Sequence, residues 1–255
     1  MSLNKKEKIH ELLKGIETGD PDAVSVVNEG KYIQHNPQTH EGSEGLAVLF
    51  KRLSETSPHV NIVRIFEDGN FVFAHTEYDF STRNIGFEIF RFEDNQAVEH
   101  WDNIQKRKGP NSSGHTMVDG ITEVTDHEIT EKNRLVIQAF VENVLIQGQL
   151  DKLNDYINQN QYTEHNPGLG DDLTGLRLNL STSSQDDLNY INYDKCHHIL
   201  AEGNFVMSVC EGHANQAPSS FFDLYRLKSG MIIEHWDTTE PIPPRSEWKN
   251  NNGKF

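Results

Sequence analysis

Two short runs, Val98-Glu99-His100-Trp101-Asp102 and Ile233-Glu234-His235-Trp236-Asp237, each set an imidazole and a carboxylate two residues apart. Strand periodicity puts Val98, His100, Asp102 and Ile104 on one face and Glu99, Trp101 and Asn103 on the other. In the second run Ile233, His235 and Asp237 share a face. A histidine and an aspartate on an otherwise apolar face are costly to bury unless they bond each other, bind a polar guest or sit at a cavity mouth. Such a pair suits proton transfer. Asp102 and Asp237 are candidate general bases, and His100 and His235 can hold or relay the proton, because burial and neighbouring charge bring both groups into a useful pKa range. The alternative also stands at this point: the histidine ties down a turn and the aspartate accepts backbone N–H groups.

Further groups join this set. Phe71, Phe73, His75, Glu77 and Asp79 share a strand face, and His75 is expected deeper in the same hollow. Tyr32-Ile33-Gln34-His35-Asn36-Pro37 recurs as Tyr162-Thr163-Glu164-His165-Asn166-Pro167. Its proline restricts the preceding residue and ends a helix. His35 and His165 are expected to point across the mouth, and Tyr32 and Tyr162 to offer a phenolic donor to a carbonyl or enolate oxygen. His100-x-Asp102 also has the spacing of two ligands in an iron facial triad. The downstream histidines, His115 and His127, fall in a bridging segment, so no metal is expected. Zinc pairs, phosphate loops and the serine-hydrolase elbow are missing from the sequence, and no cofactor is expected.

The elements that must position these residues come twice. Gly69-Asn70-Phe71-Val72 returns as Gly203-Asn204-Phe205-Val206, and Phe87-Glu88-Ile89-Phe90-Arg91-Phe92 as Phe222-Asp223-Leu224-Tyr225-Arg226-Leu227. With the two runs above, four blocks recur in one order at shifts of 130 to 135 residues. That period is far longer than a solenoid unit and implies two independent domains. The repeat is imperfect: His75 aligns with Val209 and Asp79 with His213, which favours the first copy as the active one.

Each half opens with a helical stripe, Ile9, Leu12, Leu13 and Ile16 in the first and Leu135, Ile137, Phe140, Val141, Val144 and Leu145 in the second. Shorter helices are predicted over Asp22–Val27 and Gly42–Leu53, with counterparts over Leu150–Ile157 and from Leu173. Strands follow over Asn61–Phe66, Phe71–Phe80, Ile85–Phe92 and Ala97–Ile104. The second half repeats them over His197–Leu200, Phe205–His213, Ser220–Leu227 and Met231–Asp237. Hairpin-length gaps imply an antiparallel curved sheet with helices packed on it. The domain boundary is placed near 125, giving residues 1–125 and 126–255.

With 23 Lys and Arg against 39 Asp and Glu, the chain carries a formal charge of -16. That opposes binding to nucleic acid or to anionic membranes, and Lys106-Arg107-Lys108 reads as a solvated linker. Nothing is apolar enough to span a membrane, and the opening residues lack a signal core, so a cytoplasmic location is expected. Cys196 and Cys210 read as buried free thiols.

At Tyr32-x-x-His35-Asn36-Pro37, Phe90-Arg91-Phe92-Glu93-Asp94 and Val98-Glu99-His100-Trp101-Asp102, both halves resemble the SnoaL-like polyketide-cyclase branch of the nuclear transport factor 2-like (NTF2-like) superfamily. The likeness extends to bacterial proteins described as aldol-condensation catalysts. The resemblance implies an α+β fold, a tandem duplication of an NTF2-like cone, and cofactor-free enolisation of a small carbonyl compound with Asp102 and Asp237 as bases. It also implies an intrachain pseudo-dimer with room for further homodimerisation. A non-catalytic module binding a small apolar molecule, or a purely structural pseudo-dimer, is the competing reading.

Overall fold

The computed structural model describes residues 3–181 and 191–255. The chain forms two compact units, one of residues 1–107 with 242–255 and one of residues 108–241. The sequence places a boundary near 125, but the bridging segment bonds to the second unit well before that. Asn111 donates to the Glu164 carbonyl at 2.6 Å, and Trp236 Nε1 to the Asp119 carbonyl at 3.0 Å. Residues after 241 return to the first unit, where Lys249 N donates to the Pro37 carbonyl at 2.7 Å.

In the first unit α1 (Lys5–Thr18) starts at a capping box, Asn4 and Glu7 each satisfying the other's backbone N–H. It stops at Gly19, whose φ of 68° suits a residue without a Cβ. A single 3₁₀ stretch, Pro21–Val26, stands where the short helix is predicted, because Asp20 and Pro21 set a tight first turn. Then come β1 (Ile33–Gln34), α2 (Gly42–Ser54), β2 (His59–Asp68), β3 (Phe71–Asp79), β4 (Arg83–Glu93) and β5 (Gln96–Lys106). The sheet order is β1-β5-β4-β3-β2. Four strands pair antiparallel as predicted, while β1 joins β5 in parallel, Gln34 opposite His100. The short Tyr-x-x-His strand escapes a sequence reading because two residues carry no periodicity.

The second unit repeats this plan with α3 (Thr130–Phe140), α4 (Leu153–Tyr156), β6 (Thr163–Glu164), α5 (Leu173–Ser181), β7 (Ile191–Glu202), β8 (Phe205–Ala214), β9 (Ala217–Lys228) and β10 (Met231–Pro241). Its order, β6-β10-β9-β8-β7, is the same, and β6 again runs parallel to β10. The β4–β5 turn takes positive φ at both Asp94 and Asn95, the backbone of a twist-matched two-residue hairpin.

Both cores lie between helices and one face of the sheet. In the first, Ile9, Leu12, Leu13 and Ile16 pack with Phe50, Val72, Ala74 and Phe90. In the second, Ile137, Phe140, Val141 and Val144 pack with Val206, Tyr225 and Ile232. The opposite sheet face is also buried in part, carrying Phe66, Phe73 and Phe87. Among the described residues, no helix is long and apolar enough to cross a membrane.

Candidate active site

Strand register assembles the site of the first unit. His100 pairs with Phe90 and Asp102 with Glu88 across β4–β5, while Phe90 pairs with Val72 and Glu88 with Ala74 across β3–β4. Cross-strand partners share a face, so His100, Asp102 and Glu88 all face the helix side with Val72 and Ala74. All three are buried.

Each nitrogen of His100 has a partner. Gln34 Oε1 accepts the backbone N–H of Asn36 at 2.8 Å, which fixes the amide with its oxygen toward the imidazole. His100 Nδ1, 3.0 Å from that oxygen, therefore carries a hydrogen. Nε2 lies 2.8 Å from Glu88 Oε2, so one proton is shared between imidazole and carboxylate. The ring also stacks on Phe90 at 4.4 Å. The Tyr78 hydroxyl donates to the other Glu88 oxygen at 2.7 Å. Burial, with the Asp102 charge adding to it, raises the Glu88 pKa against the opposing hydrogen bond from His100.

Asp102 is held differently. Asn36 Nδ2 donates to Oδ2 at 2.7 Å, while Oδ1 accepts no hydrogen bond. The Lys254 ammonium stands 3.7 Å from Oδ1 and donates to the Asp102 carbonyl at 2.7 Å. Its segment is pinned by Asn250 to the Asn36 and Thr39 carbonyls and by Asn252 to the Gln34 carbonyl. The Tyr32 hydroxyl also lacks a hydrogen-bond partner. Burial and then the charges of Asp102 and Glu88 raise its pKa well above the usual phenol value.

The second unit uses the same positions with other wiring. His235 Nδ1 meets Glu164 Oε1 at 3.0 Å and Nε2 meets Asp223 Oδ1 at 3.2 Å. Glu164 replaces Gln34 and takes the Tyr162 hydroxyl at 2.5 Å. Although burial opposes it, the Glu164 charge and the Asp223 hydrogen bond raise the His235 pKa well above normal. Against the same burial cost, the His235 charge holds the Glu164 pKa down. Burial pushes Asp237 up to about 7, with the Glu164 and Asp223 charges adding and His235 opposing. Asn166 Nδ2 serves both Asp237 oxygens, at 2.9 and 2.8 Å. The hollow lined by Tyr162, Tyr193, Asp223, Tyr225 and His235 has a cavity of about 30 Å³, room for a water molecule or two rather than an organic guest.

The remaining candidates stand elsewhere. His75 is on the opposite face of β3, edge-on to Phe87 and 3.1 Å from Arg64 Nη1, because it sits an odd number of residues from Ala74 and Val72. His35 stacks on Trp101 at 4.7 Å and bonds Glu99 at 3.0 Å. His165 repeats this on Trp236 at 4.6 Å and Glu234 at 3.0 Å. In each unit an arginine, Arg91 or Arg226, grips the same glutamate. Both histidines thus belong to a stacked ion-pair motif on the face away from Asp102 and Asp237.

Sequence reasoning missed Glu88, Gln34, Asn36, Tyr78 and Lys254. Glu88 was findable, since it alternates with Phe90 and Phe92 and aligns with Asp223. Lys254 lies 152 residues from Asp102 and no spacing rule reaches it. Glu88, His100 and Asp102 present ligand atoms within 4.8 Å of one another. The Glu88–His100 hydrogen bond and the nearby ammonium fit a proton there better than a metal cation.

Residues 9–100 match the model of the SnoaL-like domain. Similar solved structures include a putative polyketide cyclase from Bacillus cereus ATCC 10987, 18% identical over 40% of this chain and 78% of that one, with a TM-score of 0.35. An NTF2-like protein of unknown function from Cytophaga hutchinsonii ATCC 33406 is 15% identical over 41% and 93%, with a TM-score of 0.37. An LEH-like epoxide hydrolase from M. tuberculosis is 18% identical over 39% and 81%, with a TM-score of 0.34. No curated protein matches the sequence significantly. The architecture is α+β and repeats within the chain: two five-stranded sheets of the same strand order, each with its own helices.

Proposed function

Starting from a SnoaL-like domain over residues 9–100, we propose that the first unit enolises a small carbonyl compound without a cofactor. One observation carries the reading: Asp102 Oδ1 and the Tyr32 hydroxyl are both buried on the helix side and neither has a hydrogen-bond partner. Leaving a buried polar atom unpaired costs roughly 1–3 kcal/mol. Two such atoms together, one a base and one a donor, suit a guest that supplies an acidic C–H and a carbonyl oxygen.

In this scheme Asp102 Oδ1 removes the α-proton while Asn36 holds Oδ2 in place. The Tyr32 O–H donates to the oxygen on which negative charge grows. Lys254 keeps a cation beside Asp102 in the ground state. The Gln34–His100–Glu88–Tyr78 chain fixes the floor of the site and holds one mobile proton. An aldol-type cyclisation or a lyase step can follow from the same enolate.

The second unit supports the assignment by contrast. Its phenol is already spent on Glu164 and its aspartate is held at both oxygens by Asn166. That wiring, with the small cavity, favours a structural or small-ligand role for the second copy.

The test is solvent-deuterium exchange into a panel of β-keto esters and β-diketones. Exchange above buffer that Asp102→Asn abolishes and Asp237→Asn leaves intact is the expected result. Exchange indifferent to Asp102→Asn ends the proposal.

A further inference from the structure

Cys196 on β7 and Cys210 on β8 are direct cross-strand partners in an antiparallel pair. Residues directly opposed in such a ladder have Cα atoms about 4.5 or 5.5 Å apart, according to the rung. A disulfide spans Cα separations of roughly 4.4–6.8 Å, a range that includes both rungs. Both thiols are free, and as directly opposed partners their side chains lie on the same face of the sheet.

The strand around them is built to give. Register shifts fall between Tyr193 and Lys195 and again between Cys196 and His198, so the Cys196–Cys210 rung sits in a short stretch between two irregularities of β7. Bulges bend a strand and change its local twist, so this rung departs from the regular ladder on both sides.

Access divides the two chemically. Cys196 is partly exposed and lines an open groove of about 1120 Å³ between β7 and α3, while Cys210 is buried. The hydrogen bond from Cys210 holds the Cys196 thiol below the ordinary range. Cys210 is pushed well above it by the same bond and by burial. A partly exposed thiol beside a buried one on the facing strand is the arrangement of an attacking and a resolving cysteine.

We infer that Cys196 and Cys210 form a peroxide-sensitive dithiol that closes to a cross-strand disulfide in the second unit. Cys196 sulfur attacks a hydroperoxide, its O–O bond breaks, and an alcohol or water leaves as Cys196 becomes a sulfenic acid. Cys210 sulfur then attacks Cys196 sulfur, and the sulfenic hydroxyl departs with the Cys210 proton as water. Two thiols are oxidised by two electrons and one hydroperoxide is reduced. The new bond clamps the strand that carries Tyr193, whose hydroxyl faces Asp223 at 3.3 Å.

The folded full chain is treated with hydrogen peroxide, quenched, denatured, alkylated and weighed intact, with dimedone present in a parallel sample. The expected product has lost both thiols together, takes no dimedone, stays monomolecular in mass and regains both thiols with dithiothreitol. Cys210→Ser is expected to stop at a dimedone-reactive sulfenic acid on Cys196. A wild-type chain that accumulates dimedone adduct or sulfinic acid on Cys196, or that keeps both thiols through the treatment, overturns the inference. The wild-type masses decide the matter even if a serine variant folds poorly.

Discussion

The Tyr162 hydroxyl donates to Glu164 at 2.5 Å. In the first unit the residue two after the tyrosine is Gln34, whose oxygen is already occupied by Asn36 N and His100, and the Tyr32 hydroxyl stays unbonded. One carboxylate-for-amide difference thus separates a tied phenol from an available one within the same backbone frame.

That difference can be moved. Gln34→Glu is expected to capture the Tyr32 hydroxyl, and Tyr32→Phe to delete it. If the phenol stabilises an enolate, each variant lowers deuterium exchange by ~100-fold, the usual cost of losing one oxyanion donor. Circular dichroism and urea midpoints check that the fold persists. Equal exchange in Tyr32→Phe and wild type would remove the phenol from the mechanism.

A second expectation concerns pH. Asp237 sits at about 7 in the folded chain against an ordinary value of 3.8. A raised folded pKa means the folded state holds its proton longer, so the contribution is fully present below about 4 and is lost as pH rises through 7. Asp237→Asn removes it. Wild-type stability relative to that variant is expected to fall across this window by a few kcal/mol, since each pKa unit is worth about 1.4 kcal/mol, and to level off above it. Urea midpoints from pH 4 to 8 measure this. The His235 charge pulls Asp237 down, so His235→Gln is expected to move the Asp237 carboxyl above 7 in carbon-detected NMR titration.

Much of the frame was legible from the chain alone, for physical reasons. Long strands with alternating apolar residues, such as Phe71–Asp79, declare themselves because burial on one face demands period two. The same rule put His100 and Asp102 together on one face, and the strand register makes it the helix side. It failed for His75, where both faces of β3 are buried and the alternation that separates inside from outside is lost: Val72, Phe73, Ala74 and His75 are all buried. His35 follows a two-residue parallel strand, too short to carry any alternation. The contacts that tune the site come from hydrogen bonds across 66 residues, as for Asn36 and Asp102, or across 152, as for Lys254. Such pairings depend on the finished fold.

Lys254 gives a third expectation. Its ammonium and the Asp102 carboxylate are both almost wholly buried. Removing one partner of a buried pair strands the other charge, at a typical cost of about 3–5 kcal/mol. Lys254→Met should therefore lower the urea midpoint and slow exchange, while the double variant Lys254→Met/Asp102→Asn, which removes both charges, should be less destabilised than the sum of the singles. Additive single and double effects would show that the ammonium and carboxylate act independently.

The last expectation follows from how each unit brings a phenol to the carboxylate beside its histidine. In the first, Tyr78 on β3 reaches Glu88 across Gly86 of the neighbouring strand. A Cβ on Gly86 would stand 2.5 Å from the Tyr78 ring, 2.5 Å from Thr76 Oγ1 and 2.9 Å from Glu88 Oε1. The glycine is therefore the gap through which the phenol passes. In the second unit the equivalents are exchanged: Gly212 stands on β8 in place of Tyr78, Phe221 fills the Gly86 position on β9, and Tyr193 on β7 turns its hydroxyl to Asp223 instead. Gly86→Ala overpacks this junction, and overpacking costs typically ~1–3 kcal/mol. The variant is expected to lose that much by urea unfolding and to shift the His100 imidazole resonances, because displacing Tyr78 removes a donor from the carboxylate that shares the His100 proton. Gly86→Ala/Tyr78→Phe, which keeps the ring, should stay destabilised, whereas Gly86→Ala/Tyr78→Ala opens the space and should recover the overpacking part. Recovery with phenylalanine alone would place the strain at Thr76 or Glu88 rather than at the aromatic ring.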